Sequence, residues 1–337
     1  PFGQPIFHTN MFALMRITGH KEFIVSRVVH VAVGVIVGKD GAILIAKRPD
    51  KTHQGGLWEF PGGKVERRET LFDALKRELQ EELAIEVVAT EPLIKIRHDY
   101  GDKVVLLDVH KVTEFSGQPL GNEGQPIRWV APLTLHEYDF PAANRPIITA
   151  INLPQRLLIT GEFKEPGDFL VRIESALQKG IRMVQLRLQK SDAIPILVGP
   201  VAEICNRYSA KLIINTSPQV FDDITGSSAF GLHLNSAHLL NCNSRPVSDS
   251  ILLSASCHTE SEIKHAEKIG VDYICLSPVL ATNSHPDQEG MGWDRFRSLV
   301  DDATIPVYAL GGMTEADLAI ALESGAQGIA AISEWWC

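Results

Sequence analysis

The 337 residues are 45% hydrophobic and 22% charged, a globular balance that excludes a disordered chain. The net charge of −9 is uneven: residues 1–152 carry 18 Lys and Arg against 19 Asp and Glu, and residues 153–337 carry 14 against 22. Neither half clusters its cations as a nucleic-acid surface does, so direct nucleic-acid binding is not expected, whereas small phosphorylated ligands stay compatible with local groups and metals.

The length suits two or three domains. Cys205, Cys242, Cys257, Cys275 and Cys337 are odd in number and form no CxxC pair. A disulfide framework or zinc site is therefore not expected, and a reducing cytoplasm is. The apolar run Val28–Val37 is too short to span a bilayer and reads as a buried strand. Residues 1–26 lack the basic, apolar and small-residue order of a signal peptide. The chain opens at Pro1 with its first methionines at Met11 and Met15, so these residues are treated as an extension of unassigned order.

From residue 27 to about Asn152, strand-like runs occur at Val28–Val37, Ala42–Ala46, Leu93–Arg97, Val104–Thr113 and around Trp129. One helix follows Gly62-Gly63 and another starts near Ala142. Strands of mixed spacing with few helices predict an α/β/α sandwich around a mixed sheet. From residue 153 the rhythm changes. Short aliphatic runs start at Arg156, Met183, Lys211, Gly231, Ile251, Tyr273, Ile305 and Gly328, with helix-period or loop segments between them. Eight such units predict a compact (βα)8 TIM barrel over 153–337, its last helix nearly absent. Pro154, in "NLPQR", marks the boundary between the two α/β units.

The helix behind the Gly pair, "GGKVERRETLFDALKRELQEELAI", carries the chemistry. Thr70 can cap it, with Asp73 three residues on. Leu71, Leu75 and Leu79 form a core stripe. Glu78, Glu81 and Glu82, at i, i+3 and i+4, share a face beside that stripe. Like charges at this spacing repel, and a divalent cation relieves the repulsion; Mg2+ suits carboxylates, water and phosphates. Arg77 can hold a glutamate in a two-pronged pair. Alone, such an acidic run is more often a solvated helix face.

From Gly63 through Glu69, Arg77-Glu78, Glu81-Glu82 and Ile85, the spacing resembles the Nudix box, except that Ala84 stands where the family has Gly. "LWEFPGGK", "GNEGQP", "RWV" and "DFPAANRPII" resemble the MutT branch, the 8-oxo-dGTP diphosphatases. The resemblance implies a Mg2+ or Mn2+ site at Glu78, Glu81, Glu82, the Gly62 carbonyl and Glu123. Glu78 or Glu123 would activate water, and Glu69 and Arg77 would support the helix. Asn144 would read the purine edge, Phe60 would pack on the base and Arg48 would contact it, while Lys103 and Val105 sit where the family has further base contacts. A cap or turn role for Asn144 and core packing for Phe60 stay open. The implied reaction takes a nucleoside triphosphate, 8-oxo-dGTP foremost, to the monophosphate and pyrophosphate.

Residues 156–333 resemble thiamine phosphate synthase and the TenI thiazole tautomerase through "VQLRLQK", "LIINT", "GLHLN", "SASCHT", "AEKIGVDYICLSPV" and "ALGGMT". The resemblance implies a thiazole phosphate or other phosphate ligand at the strand ends, held by Gln185, Arg187, Asn215, Gly311 and Gly312. Several synthase residues are replaced: Gln189 (with Lys190 next to it), Thr216, His238 and about His285 stand where that family has Lys, Asp, Asp and Lys. Loss of both Mg2+-binding aspartates argues against synthase chemistry. His258, at the "CHT" position, would be the tautomerase catalyst or a structural histidine. Thiamine-pathway diphosphates remain alternative Nudix substrates, and a homodimer stays open.

Overall fold

A strand that must be covered on both faces places apolar side chains on both, and Val28–Ile36 (β1) does so. The computed structural model describes residues 28–51, 54–99, 104–188, 193–225, 231–282 and 289–336. In it β1 is central to a four-stranded mixed sheet. Gly62–Lys64 (β4) pairs antiparallel on one side of it and Val104–Ser116 (β6) parallel on the other; Glu86–Asp99 (β5) then pairs antiparallel with β6. Ile43–Lys47 (β2), Trp58–Glu59 (β3) and Ile127–Val130 (β7) make a second sheet in the order β3-β2-β7.

Alternation along β1 divides the interior into two layers. Ala32 and Ile36 face Leu71–Leu83 (α1), whose Ala74, Leu75, Leu79 and Leu83 are fully buried. Val33 and Val35 face the opposite core, together with Ile147 and Ala150 of Arg145–Asn152 (α2). The mixed sheet thus lies between two helices. The run expected at Leu93–Arg97 is the middle of a much longer strand, whose bulges near Ala89 and Pro92 interrupt its alternation.

The eight predicted runs of the C-terminal part form a closed parallel barrel. In chain order these are Arg156–Ile159 (β8), Met183–Leu186 (β9), Lys211–Asn215 (β10), Gly231–Leu234 (β11), Leu253–Cys257 (β12), Tyr273–Leu276 (β13), Val307–Leu310 (β14) and Gly328–Ala331 (β15). Its interior is filled by Leu157, Ile159, Met183, Ile213, Tyr273, Tyr308 and Ala330, so it is a packed core and not a pore. Pro166–Gln178 (α3) starts the outer ring. After β15, Trp336 packs edge-on against Phe169 of α3 at 4.9 Å and donates Nε1–H to the Glu162 carbonyl at 2.8 Å. Among the described residues no helix is long and apolar enough to cross a membrane.

Candidate functional sites

The Gly62-Gly63 pair is a geometric requirement. Gly62 lies opposite Val33, and a Cβ on it would stand 2.1 Å from the Ala32 carbonyl oxygen; its φ of +147° also lies outside the usual range of L side chains. A Cβ on Gly63 would stand 2.1 Å from Cδ of Glu78. The carboxylate of Glu78 therefore rests on bare backbone.

Arg77 sets its direction. Its Nε and Nη2 donate to Glu69 Oε1 and Oε2, both at 2.9 Å, its Nη1 to Glu78 Oε1 at 2.7 Å, and its Nη2 also to the Lys64 carbonyl at 3.0 Å. Glu69 also accepts from the Glu66 N–H at 2.8 Å, and these bonds hold its carboxyl below its ordinary value. Thr70 caps the helix, accepting from Asp73 N–H at 3.2 Å.

Glu82 is the most perturbed acid of the site. Burial pushes its carboxyl up to about 8; the Gly62 N–H, donating at 3.2 Å, opposes this, and Glu59, Glu78 and Glu123 add like charge. Glu81 differs: it is exposed, 3.7 Å from Arg77 Nη1, so the expected shared face divides into two inward carboxylates and one outward. A 100° step per residue turns Glu81 away from the core while Glu78 and Glu82 flank it. Among the described residues no three His, Cys, Asp or Glu side chains form a ready-made metal cage. Mg2+ sites commonly take only one or two carboxylates and fill the rest with water and phosphate oxygens.

The loop carrying Glu123 is tied to the end of α1 by its neighbours. Asn122 Nδ2 donates to the Glu81 carbonyl at 2.8 Å, Gln125 Nε2 to that of Glu82 at 2.9 Å, and Leu120 N–H to that of Leu83 at 3.0 Å. These bonds satisfy the helix's last carbonyls and bring Glu123 beside the acidic cluster.

Two expectations for base contacts change. Phe60 is only 4% exposed and stacks on Phe140 at 5.2 Å, so its ring is a packed wall and not a free face for a base. Arg48 is ion-paired with Glu59. Glu59 was missed in the sequence; a carboxylate in the otherwise apolar "LWEFP" was the available signal. Burial holds its carboxyl above the ordinary value against the pull of Arg48. Asn144 occupies the cap position of α2, yet its side chain makes no capping bond, which removes the capping explanation. Lys103 lies outside the described residues.

The barrel brings its predicted residues together. Gln185, Arg187, Asn215, His258, Gly311 and Gly312 line one cavity of about 700 Å3 at the C-terminal ends of the strands. Asn235, Ser236 and Thr314 line it too and were not anticipated. Thr160 fixes Arg187, accepting from its N–H at 2.9 Å and donating to its carbonyl at 2.8 Å. His258 donates Nδ1–H to the Ser277 carbonyl at 2.7 Å, which leaves the neutral ring's Nε2 as a proton acceptor. His238, replacing a synthase aspartate, does not line the cavity; its backbone N–H is capped by Asn235 at 2.8 Å. Gln189, Lys190 and His285 lie outside the described residues.

Comparison with known proteins separates the two halves. The "NUDIX domain" family model matches residues 32–150, and the "Thiamine monophosphate synthase" model matches residues 157–335. The 8-oxo-dGTP diphosphatase of Proteus vulgaris is 45% identical over 28% of this chain and 85% of its own length. The CTP pyrophosphohydrolase of Escherichia coli (strain K12) is 37% identical over 35% of this chain and 87% of its own. The thiamine-phosphate synthase of Limosilactobacillus fermentum is 29% identical over 50% of this chain and 81% of its own.

Proposed function

We propose a function for a chain that belongs to two families, the Nudix hydrolases through residues 32–150 and the thiamine monophosphate synthase family through residues 157–335. The N-terminal part is a Nudix hydrolase. Its reaction, on our reading, is hydrolysis of a purine nucleoside triphosphate, 8-oxo-dGTP in preference, to the monophosphate and pyrophosphate. The observation that carries this is the Glu78 carboxylate laid on Gly63 beside a Glu82 that has no cationic partner among the described residues and stands near Glu59, Glu78 and Glu123.

A hard divalent cation, Mg2+ or Mn2+, fits this all-oxygen, electron-rich donor set. Glu78 and Glu82 would hold it, with Glu123, Glu81 and the Gly62 carbonyl as further oxygen donors. When bound, the ion supplies neutralisation of the charge that develops on phosphate oxygens. The protein's own groups do the rest. Arg77 fixes the Glu78 carboxylate so that it does not have to be ordered during the reaction. Glu123, exposed at the rim, or Glu78 takes the proton of the attacking water. The side-chain amide of Asn144, free of the helix it precedes, can donate and accept at once on a purine edge. Phe60 and Phe140 stack on each other in the core against which α2 packs.

The barrel is read as a phosphate-ligand site with the polarity of a thiazole phosphate pocket. Arg187 and the Gly311-Gly312 turn would take the phosphate, and Nε2 of His258 would move a proton. Without the two synthase aspartates, tautomer exchange is the chemistry these residues can still perform.

The test is a nucleotide panel with Mg2+, comparing the wild type with Glu78→Gln. The expected products are monophosphate plus pyrophosphate, formed fastest from 8-oxo-dGTP and lost in the variant. Orthophosphate release would contradict the cleavage position. Preference for CTP or thiamine diphosphate would overturn the substrate while leaving the chemistry intact. Tautomerase turnover unaffected by His258→Ala would remove that histidine's role.

A further inference from the structure

The helix that follows Asn144 is gripped by the other half of the chain. Helix α2 has eight residues, about 12 Å of axis, and Asn144 is the cap residue immediately before its first position. At its far end, Gln327 Nε2 donates to the carbonyl of Ala150 at 3.2 Å and to that of Leu153 at 3.0 Å. Gln327 belongs to the barrel. It immediately precedes β15, is 6% exposed, and its own N–H donates to the Val307 carbonyl at 2.8 Å. The next residue of the connection, Pro154, accepts through its carbonyl from the Tyr308 hydroxyl of β14.

The near end is held as well. Arg145 reaches Asp249 at 3.4 Å and Asp272 at 3.8 Å, both in the barrel. Asp272 is itself fixed by Arg245 and by the Leu253 N–H, at 2.7 and 2.8 Å. The Arg145 pairs are exposed and add little stability. Two points of attachment nevertheless define the position of a short rod more tightly than one. The bonds at the far end are buried, so removing their donor takes that partner from the Leu153 carbonyl and leaves the Ala150 carbonyl only the Leu153 N–H at 3.4 Å.

We propose that the barrel sets the position of the base-reading end of the Nudix site, with Gln327 as the positioning residue. This rests on the reading that Asn144 contacts the base. Gln327 touches no substrate; it acts by fixing the axial position of α2, and so of the amide at the helix start. A barrel that has lost the synthase aspartates can still be retained for this purpose, because the attachment uses the opposite, N-terminal face of its strands.

The experiment uses the full chain with Mg2+, measuring kcat and KM on 8-oxo-dGTP and on dGTP. Gln327→Met keeps the volume and removes both donors; Arg145→Gln loosens the near end from the surface. Asn144→Ala is the reference. The positioning role predicts an unchanged kcat for Gln327→Met, with KM for 8-oxo-dGTP raised and the preference over dGTP lowered by about fivefold to tenfold, the scale of one hydrogen bond. Arg145→Gln should shift both in the same direction by less, and it decides the matter if Gln327→Met fails to fold. A residue that only stabilises the fold would lower the active fraction equally for both substrates. If both variants keep KM and preference while Asn144→Ala loses preference, the positioning role is overturned and the nucleotide reading stands. If Asn144→Ala keeps its preference, the reading beneath it fails.

Discussion

Replacing Ala84 by Gly should stabilise the protein. Ala84 ends α1 at φ 56° and ψ 33°, the left-handed region, and is the one residue of the motif that departs from the family's glycine. The turn cannot relax into another shape. The Ala84 N–H donates to the Gln80 carbonyl at 3.1 Å, and Asn122, Gln125 and Leu120 hold the three carbonyls that follow. Its Cβ therefore bears the left-handed penalty, about 1–2 kcal/mol. Glycine removes that but adds about 0.4–1 kcal/mol of unfolded-state freedom. The net gain lies between about 0 and 1.6 kcal/mol, and a gain of about 1 kcal/mol would raise the melting of a unit of this size by roughly 3–5 °C. Calorimetry of the intact chain reads it as an upward shift of the transition that nucleotide plus Mg2+ also shifts. The nucleotide preference should not move, since no proposed ligand group changes. A fall in that Tm would refute the reasoning and show that the methyl group packs more than it strains. A changed substrate preference would mean that the turn itself contacts the nucleotide.

Gly63→Ala places a Cβ 2.1 Å from the Glu78 carboxyl carbon, so hydrolysis should drop about 10^2-fold, the usual cost of an ångström-scale displacement, with little change in far-UV circular dichroism; retained turnover would show that Glu78 need not lie there. His233 is fully buried between the Ser254 and Ser256 hydroxyls, at 2.9 and 2.8 Å, and burial lowers its pKa to about 3. It is neutral when folded, while the unfolded chain takes up a proton below its ordinary value of 6.5. Its stabilisation is therefore complete above pH 6.5 and is lost as the pH falls toward 3, at up to about 1.4 kcal/mol per unit. Denaturant titrations from pH 7 to 4 should show a shallower slope for His233→Gln than for the wild type, and equal slopes would sink the assignment. Trp336→Ala removes a nearly buried indole, its bond to Glu162 and its contact with Phe169, and should cost the barrel about 3–5 kcal/mol in chemical denaturation; a loss under 1 kcal/mol would mean that Trp336 is peripheral.

Sequence alone determined the elements whose cause is local. The Glu69–Arg77 support came from the family resemblance, whereas the four-residue leucine spacing of α1 and its Thr70 cap were legible because they depend on helix period and short-range bonds. So were the eight barrel runs, because a strand buried on both faces must be apolar throughout. Identity and order of motifs also indicated which residues gather at the barrel mouth, since strand ends converge there by topology. Tertiary structure decided what depends on distant neighbours. Glu81 turns outward while Glu82 is half-buried among three other acids. Phe60 spends its face on Phe140, and Glu59 joins the cluster through a strand pairing that carries no local signature. The hold of Gln327 on the carbonyls of α2 was equally out of reach. Burial and like-charge coupling are sums over groups far apart in the chain, and spacing within one helix does not contain them.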